Sequence, residues 1–475
     1  MQRKNLVSLL WTLLILLLVL GLANWQPGQA QAALAMRQVK LAQARQQPQE
    51  AAQALQRLLG AQPWRTDLIE QIGTYLEKAG DQAGAAAAYE SALAQQALSA
   101  DGSLRLAELW FETGQDVKAE QLLLELTTTK NLMSAAYPQA VRLLEKVAQP
   151  NEILDALAGW LEVDSTNGKA LFLKGVYLAA TRPADAALAL EQAKQKADGY
   201  QASSAQFLEV LDSAAKEKDP GKMALEIGRG LAELNEWKAA EAAFDQAVAA
   251  QPDLAEGWAY LAEARQNLGK PAQEQIDRAL QISPHSGIVQ ALTAIYWRRM
   301  GKPEVGLVHL YAAARQEPDS AYWQVELGKT LCELNNPQDA LNHFILATEL
   351  EPKNSRSWVE LARFSLNFGI EPTLVGLPAA RQAVYLAPKD ADALDILGAL
   401  LLSQNDLPSA ERFLQQSLQQ DAANSDAQLH LGQYYLASGN PESARPYLEE
   451  AVRLSPETAV GKLAERLIQQ NYPNR

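Results

Sequence analysis

Apolar and small residues return at a helical spacing along most of this chain. In its clearest segment, Leu327 and Leu331 share one face of a first helix, and Ala340, Phe344 and Ala347 share one face of a second. A spacing of three and four residues is that of an amphipathic helix. The pattern therefore predicts a hairpin of two helices, and no segment of convincing length shows the alternation of a β-strand.

Prolines return at nearly the same period as the hairpins. Six of them are separated by 32, 34, 34, 36 and 68 residues, namely Pro252, Pro284, Pro318, Pro352, Pro388 and Pro456. One hairpin cannot bury its apolar face alone, so stacked neighbours must supply a continuous core. The sequence predicts an all-α solenoid, in which positions are counted from the first residue of each repeat.

Four residues of the repeat that begins at Ala321 have specific expected roles. Gly328 at position 8 allows two helix backbones to approach closely, and Phe344 at position 24 fills the space beside them. Asn336 is suited to cap the second helix, and Pro337 fits its first position because that residue needs no helical N–H bond. Such a repeat is one unit of a larger array.

These residue types at these positions resemble the tetratricopeptide repeat (TPR) family, whose repeat has about 34 residues. The pattern returns from residues 221, 255, 287, 355, 391 and 425, with the repeat at 255 two residues short and that at 355 two residues long. A fainter pattern begins near 32 and continues from 66, 100, 134 and 168, where the last two repeats are degenerate. The resemblance implies a right-handed superhelical solenoid of about twelve repeats.

The sequence predicts five segments. They are an N-terminal signal-anchor or signal peptide (1–31), a first array of about five repeats (32–201), a joining helix (202–220), a second array of about seven repeats (221–458), and a capping helix with a tail (459–475).

The N-terminal segment has two interpretations. Residues 6–23 form an uncharged apolar run of 18 residues, which spans ~27 Å as a helix and follows the cations Arg3 and Lys4. The run is either a retained transmembrane anchor or part of a signal peptide cleaved near Ala32, where Ala30 and Ala32 provide small residues. Both interpretations place the repeats outside the cytoplasm.

Composition narrows the classes of function. A net charge of −14 makes nucleic acid an unsuitable partner. Cys332 is the single cysteine, so a disulfide or thiolate zinc cluster within the chain is excluded. His309 and His343 occupy position 23 of adjacent repeats, ~10 Å apart by helix packing, which is too far for one shared ion. We expect no enzymatic activity, cofactor, metal or small-molecule substrate.

The resemblance implies that positions 2, 5, 9, 12 and 13 of the first helix line a concave binding face. In three neighbouring repeats these positions supply Arg298, Arg299, Tyr322, Lys329, Arg356 and Arg363. The five cations suit an acidic or C-terminal carboxylate segment of a partner, since guanidinium groups bind carboxylates in a bidentate manner. In the alternative interpretation, Glu333 and Glu360 neutralise them.

One TPR subclass is not matched by this face. TPR domains that clamp the carboxylate tails of chaperones have asparagine at position 9, whereas this chain has Ile295, Lys329 and Arg363 there. We therefore expect a protein partner other than a chaperone tail.

The predicted function is a non-enzymatic scaffold that assembles a protein complex at the cell envelope by binding a peptide or helical segment. An alternative is an accessory component of an envelope polysaccharide or secretion system, serving a partner enzyme or transporter. A third possibility is a catalytic site hidden in the degenerate region 134–220.

Overall fold

The computed structural model describes residues 27–129 and 132–472, and in this part of the chain it contains helices and no strand. The chain divides into two compact units between Gln251 and Pro252. The first and second helices of each hairpin are called A and B below.

Unit 1 holds the A and B helices of six hairpins and one single helix. In order these are α1 (Pro27–Ala44), α2 (Pro48–Ala61), α3 (Asp67–Lys78), α4 (Gln82–Ala94), α5 (Ala100–Glu112), α6 (Asp116–Thr128), α7 (Tyr137–Leu144), α8 (Pro150–Val163), α9 (Gly168–Leu178), α10 (Pro183–Lys194), the single α11 (Gln201–Ala214), α12 (Pro220–Glu233) and α13 (Trp237–Ala250).

Unit 2 holds six hairpins and a terminal helix within its described residues. They are α14 (Ala255–Asn267), α15 (Gln273–Ile282), α16 (Gly287–Arg299), α17 (Pro303–Gln316), α18 (Ala321–Glu333), α19 (Pro337–Leu350), α20 (Ser355–Phe368), α21 (Leu377–Leu386), α22 (Ala391–Ser403), α23 (Leu407–Gln420), α24 (Ser425–Ala437), α25 (Pro441–Leu454) and α26 (Ala459–Asn471).

The observed helices confirm an all-helical, solenoid-like fold. The single helix α11 lies in the segment predicted to join two arrays, and it packs on α10 before it and on α12 after it. The division between compact units comes later in the chain, so the hairpin of α12 and α13 belongs to unit 1. The predicted array boundaries stay predictions.

The predicted membrane segment at residues 6–23 lies outside the described residues. Across 27–129 and 132–472, every helix is too short or too polar to cross a bilayer. The transmembrane or signal assignment therefore stays a prediction.

Helix ends follow the capping residues of the sequence. Asn336 accepts a hydrogen bond from the backbone N–H of Asp339, and Pro337 occupies the first helical position of α19, as predicted. The preceding residue, Asn335, has a φ of 54° and makes the tight turn between the two helices. Side-chain caps of the same kind begin many other helices, as at Asp81, Ser99, Asn167, Ser286, Asp390, Asn424 and Thr458.

Five of the described hairpins are closed by a contact between a glycine at position 8 and a large side chain at position 24. A Cβ placed on Gly328 would lie 2.9 Å from ring atoms of Phe344, closer than van der Waals contact. The same glycine-to-large-residue contact joins Gly73 to Tyr89, Gly228 to Phe244, Gly398 to Leu414 and Gly432 to Leu448. This confirms the close approach that the sequence predicts.

Position 4 makes a recurring bond that links one repeat to the next. Its side-chain N–H donates to the backbone carbonyl six residues earlier, where the sequence has the closing proline. The bonds are Trp258 to Pro252 (3.0 Å), Gln290 to Pro284 (2.5 Å), Trp358 to Pro352 (2.9 Å) and Gln428 to Ala422 (3.0 Å). The acceptor is a backbone carbonyl, which every residue has, so Ala422 can accept this bond in place of a proline.

The two repeats of unusual length differ in their B helices and turns. In the short repeat, α15 has 10 residues, whereas α19 has 14. In the long repeat, the extra residues form a turn that contains Gly369 and Glu371 at positive φ and a π-helical turn at Pro372–Gly376. The length changes therefore lie in the B helix of the short repeat and in the turn of the long repeat.

Unit 1 contains a contact between repeats that are not neighbours. Helix α13 touches α8, although the four helices α9 to α12 separate them in the chain. Nearby, the Tyr177 hydroxyl donates to Glu145 (2.9 Å). Burial and the neighbouring Glu145 carboxylate raise the pKa of Glu236 to about 7, against the opposing charge of Lys169. Two partly buried carboxylates of unit 1 therefore repel each other.

Replacing Gly328 with alanine tests the contact between positions 8 and 24. We expect Gly328→Ala to lower the free energy of unfolding by about 1–3 kcal/mol, since the Phe344 ring must move. The control is Gly287→Ala, where the nearest atom to an added Cβ is 3.5 Å away. Urea denaturation followed by circular dichroism measures both, and equal stability of the two variants would contradict the packing account.

Replacing Glu236 with glutamine tests the buried carboxylate pair. The raised pKa means that this carboxyl group favours the folded state most at low pH. The free energy of unfolding therefore falls by up to roughly 3 kcal/mol as the pH rises from ~4.5 to ~7, because the folded state binds this proton more tightly than the unfolded state does. We expect Glu236→Gln to stabilise the chain at pH 8 and to leave it unchanged at pH 4.

The control for this test is Glu233→Gln, a change at the exposed last residue of α12, three residues before Glu236 in the chain. Urea unfolding at the two pH values gives the comparison. A Glu236→Gln variant that is only as stable as Glu233→Gln at pH 8 would rule out a cost of burying the Glu236 charge beside Glu145.

Candidate functional site

The six candidate residues lie on three consecutive A helices of unit 2, namely α16, α18 and α20. The surface formed by the A helices of unit 2 is called the A face below. Tyr322 is 53% exposed, and Arg299 and Arg356 are exposed, whereas Arg298 and Lys329 are partly buried between neighbouring A helices. The six residues are therefore not equivalent.

Arg298 is held by two carboxylates of the next repeat. Its guanidinium lies 2.9 Å from Glu326 and 2.5 Å from Glu333, and its side chain is only 18% exposed. Burial lowers the pKa of Arg298, but the hydrogen bonds that it donates to Glu333 and Glu326, together with their charges, more than offset this and leave the pKa raised. Arg298 therefore joins α16 to α18.

Lys329 and Arg363 make the equivalent connections further along the A face. The Lys329 ammonium lies 2.8 Å from Glu360 on α20 and 3.6 Å from Glu326 on its own helix. The Arg363 guanidinium lies 3.3 Å from Asp392 on α22. The predicted neutralisation by Glu333 and Glu360 is thus observed at Arg298 and Lys329, while peptide binding by these cations stays a prediction.

The connections continue to the last A helix. Asp395 on α22 is buried, and its Oδ1 lies 2.8 Å from Nδ1 of His430 on α24. Burial lowers the pKa of His430, but the Asp395 carboxylate outweighs this and raises it overall. Every pair of consecutive A helices from α16 to α24 is therefore joined by at least one charged pair.

Position 12 supplies many of these connections in both units, a role that the sequence analysis missed. Its polar side chain reaches the next A helix in Gln43 to Tyr75 (2.8 Å), Glu77 to Arg105 (2.8 Å), Glu145 to Tyr177 (2.9 Å), Gln266 to Tyr296 (3.1 Å) and Arg298 to Glu326 (2.9 Å). The recurrence of a polar residue at this position is the signal that would have found them.

A small cavity of about 170 Å³ opens between α18 and α20. Tyr322 and Val325 form its apolar wall, and Lys329, Arg356 and Ser357 contribute polar groups. Glu326, Glu351 and Asn354 complete the lining. Three of the six candidate residues therefore meet at one place on the A face.

Arg356 is the cation of this cavity that is not held in an ion pair by any described residue, whereas Lys329 is paired with Glu360 and Glu326. Within the described residues its guanidinium forms no ion pair, and Glu326 beside it is already bound to Arg298 and Lys329. Glu351 accepts a hydrogen bond from the Asn354 side chain (2.7 Å). The cavity thus combines an apolar wall with one exposed guanidinium.

Arg299 is also exposed, at the end of α16. It faces Glu263 on α14, whose pKa is raised by burial and lowered in part by the Arg299 charge. Arg299 is thus a second exposed cation on the A face, one repeat before the cavity.

A related cavity of about 390 Å³ lies between the A helices α3 and α5 of unit 1. Its lining includes Glu70, Thr74, Glu77, Asp101 and Arg105. The sequence did not predict this cavity, because its lining is mostly acidic and neutral and lacks the cluster of cations found in unit 2.

The histidines and the cysteine of unit 2 have ordinary surroundings. The described residues contain no group of three or more histidine, cysteine or acidic side chains placed to hold a metal ion. His309 and His343 each lie beside a glutamine of their own repeat, at 2.7 and 2.8 Å. Burial raises the pKa of the Cys332 thiol to about 11, so its reactive thiolate is scarce at neutral pH.

Models of the tetratricopeptide repeat family match residues 71–141, 225–286 and 401–467. The chain contains repeats of the TPR family. The TPR fold is in general a non-catalytic scaffold for protein interactions. No curated protein matches the chain in sequence.

Solved TPR structures resemble the chain at low identity. The Cut9–Hcn1 hetero-tetramer of APC/C is 14% identical, with 92% of this chain and 96% of that chain covered, at a TM-score of 0.40. Yeast Tom70 is 16% identical, with 93% and 97% covered, at a TM-score of 0.42. YrrB, a TPR protein with an unusual peptide-binding site, is 20% identical, with 40% and 97% covered, at 0.30. At these TM-scores the family assignment rests on the sequence models.

Replacing arginines with methionine separates structural from available cations on the A face. We expect Arg298→Met to lower the free energy of unfolding by about 1–2 kcal/mol, because it leaves two carboxylates short of a partner. Arg356→Met should change stability by less than about 0.5 kcal/mol, as for other exposed sites. Urea denaturation measures both, and equal losses would contradict the distinction.

Proposed function

We propose that this TPR protein binds an extended segment of a protein partner along the A face of unit 2. The segment places an apolar side chain against Tyr322 and Val325 and a carboxylate on Arg356. The supporting observation is the cavity between α18 and α20, where an apolar wall adjoins an exposed guanidinium without an ion pair in the described structure.

The ion pairs of the A face make this cavity a preformed site. Arg298 and Lys329 fix α16, α18 and α20 relative to one another through Glu326, Glu333 and Glu360. A wall that is already ordered loses little conformational entropy when a flexible segment binds. Guanidinium and carboxylate groups then add a directional contact to apolar burial.

The scaffold acts at the cell envelope in this proposal. The apolar run at 6–23, which follows Arg3 and Lys4, supports a membrane anchor or an export signal. Binding to one partner segment while held at a membrane suits a role in assembling a complex.

A peptide library displayed on phage tests the site. Selection on the full chain in detergent should enrich sequences that have aspartate, glutamate or a free C-terminus next to an apolar residue. Binding of an enriched peptide, measured by fluorescence anisotropy, should fall at least tenfold in Arg356→Glu, which corresponds to about 1.4 kcal/mol.

The matched control is Lys353→Glu, the same charge change at an exposed lysine of the preceding turn. This variant should bind as the unaltered chain does. Unchanged binding in Arg356→Glu, or an equal loss in both variants, would contradict the proposed site.

A further inference from the structure

Charge is distributed unevenly along this acidic protein. Residues 1–66 contain seven lysine and arginine residues and a single acidic residue, Glu50, whereas residues 67–475 contain 35 basic and 55 acidic residues. The first hairpin is therefore basic in a chain whose net charge is −14. A local excess of one sign favours a partner surface of the opposite sign.

Helix α1 buries one face and exposes the opposite one. Ala32, Ala35, Val39 and Ala42 are buried, at 3 to 5% exposure. The opposite face presents leucines and cations at helical spacing: Leu34, Arg37, Lys40, Leu41 and Arg45 are all exposed. Leu34 is 62% exposed and Leu41 is 47% exposed.

The cations of this face have no acidic partner in the described structure. Arg37, Lys40 and Arg45 form no ion pair within the described residues. Arg57 on α2 adds a fourth cation beside α1, where its guanidinium donates to the Gln38 side chain (2.9 Å). The face is thus both apolar and positively charged.

The opposite end of the chain has a different surface. The exposed positions of α26 are polar, namely Lys462, Glu465, Arg466, Gln469 and Gln470. This is the polar cap that the end of a repeat array needs in water. The leucines of α1 therefore indicate an apolar partner and not a cap of the same kind.

The sequence before α1 indicates which partner this is. The apolar run ends at Ala23, and only three residues, including Trp25, separate it from Pro27. Tryptophan is enriched where a chain leaves the bilayer. If the run lies in a bilayer, as proposed above, the first turns of α1 begin at the bilayer surface.

We infer that the face of α1 formed by Leu34, Arg37, Lys40, Leu41 and Arg45 lies on an anionic lipid surface. The leucines enter the boundary between headgroups and acyl chains, and the cations bind lipid phosphates. This inference shares the membrane location of the proposed function, but it does not depend on what the A face binds.

Fluorescent labels on α1 in lipid nanodiscs test the inference. The full chain with Cys332→Ser carries an environment-sensitive dye at Leu34→Cys or Leu41→Cys. The nanodiscs contain phosphatidylcholine, alone or mixed with phosphatidylglycerol, and a nitroxide-bearing lipid as quencher. A dye at Gln469→Cys on α26 is the control, because that exposed position lies outside the proposed face.

We expect blue-shifted emission and lipid quenching at positions 34 and 41 in the anionic nanodiscs, with little effect at position 469. Quenching should weaken between about 0.15 M and about 1 M salt, where the Debye length falls from ~8 to ~3 Å. It should also be lost when Arg37→Glu, Lys40→Glu and Arg45→Glu are combined. All three positions are exposed, and circular dichroism checks that helix content is unchanged.

Three results would overturn the inference. The first is a dye at position 34 that stays in water while the chain is held in anionic nanodiscs. The second is shifted emission without lipid quenching, which means that a second copy or another part of the protein covers α1. If the chain does not enter nanodiscs, the proposed anchor is contradicted, and the labelled chain is mixed with phosphatidylglycerol vesicles instead. The third result is the absence of lipid quenching at positions 34 and 41 in that mixture, which overturns the lipid contact itself.

Discussion

The structure depends on the close approach of two helices in each hairpin. A glycine at position 8 and a large side chain at position 24, as in Gly328 and Phe344, bring the helices into direct contact. The resulting hairpin still has an apolar face that only the next hairpin can cover. Stacking therefore follows from packing within one repeat, and within unit 2 it places the A helices side by side.

The A helices have two roles that compete for the same side chains. Polar residues on this face hold neighbouring helices together, as Arg298 does through Glu326 and Glu333. The residues left over are available to a partner, and Arg356 beside Tyr322 is the clearest example. Arg298 thus stabilises the A face, whereas the proposed partner would bind Arg356, although the two cations look alike in the sequence.

The sequence predicted the hairpins because helical spacing, caps and close-packing glycines are local features. Asn336, Pro337 and Gly328 all act within one repeat, and the structure confirms each of them. The sequence could not distinguish the structural role of Arg298 from the exposed position of Arg356, since this difference depends on how far each side chain lies from the next helix. The bond of position 4 to the preceding carbonyl and the contact of α13 with α8 were missed for the same reason, because both join separate repeats.

Photocrosslinking at two exposed tyrosines tests the central claim most directly. Tyr322 on the A face and Tyr385 on the B helix α21 are 53% and 79% exposed. Each is replaced in turn by a photoreactive phenylalanine in the full chain, in its native membrane. The account predicts adducts with a partner protein from position 322 and none from position 385. Adducts from position 385 alone would place recognition on the B helices and contradict it.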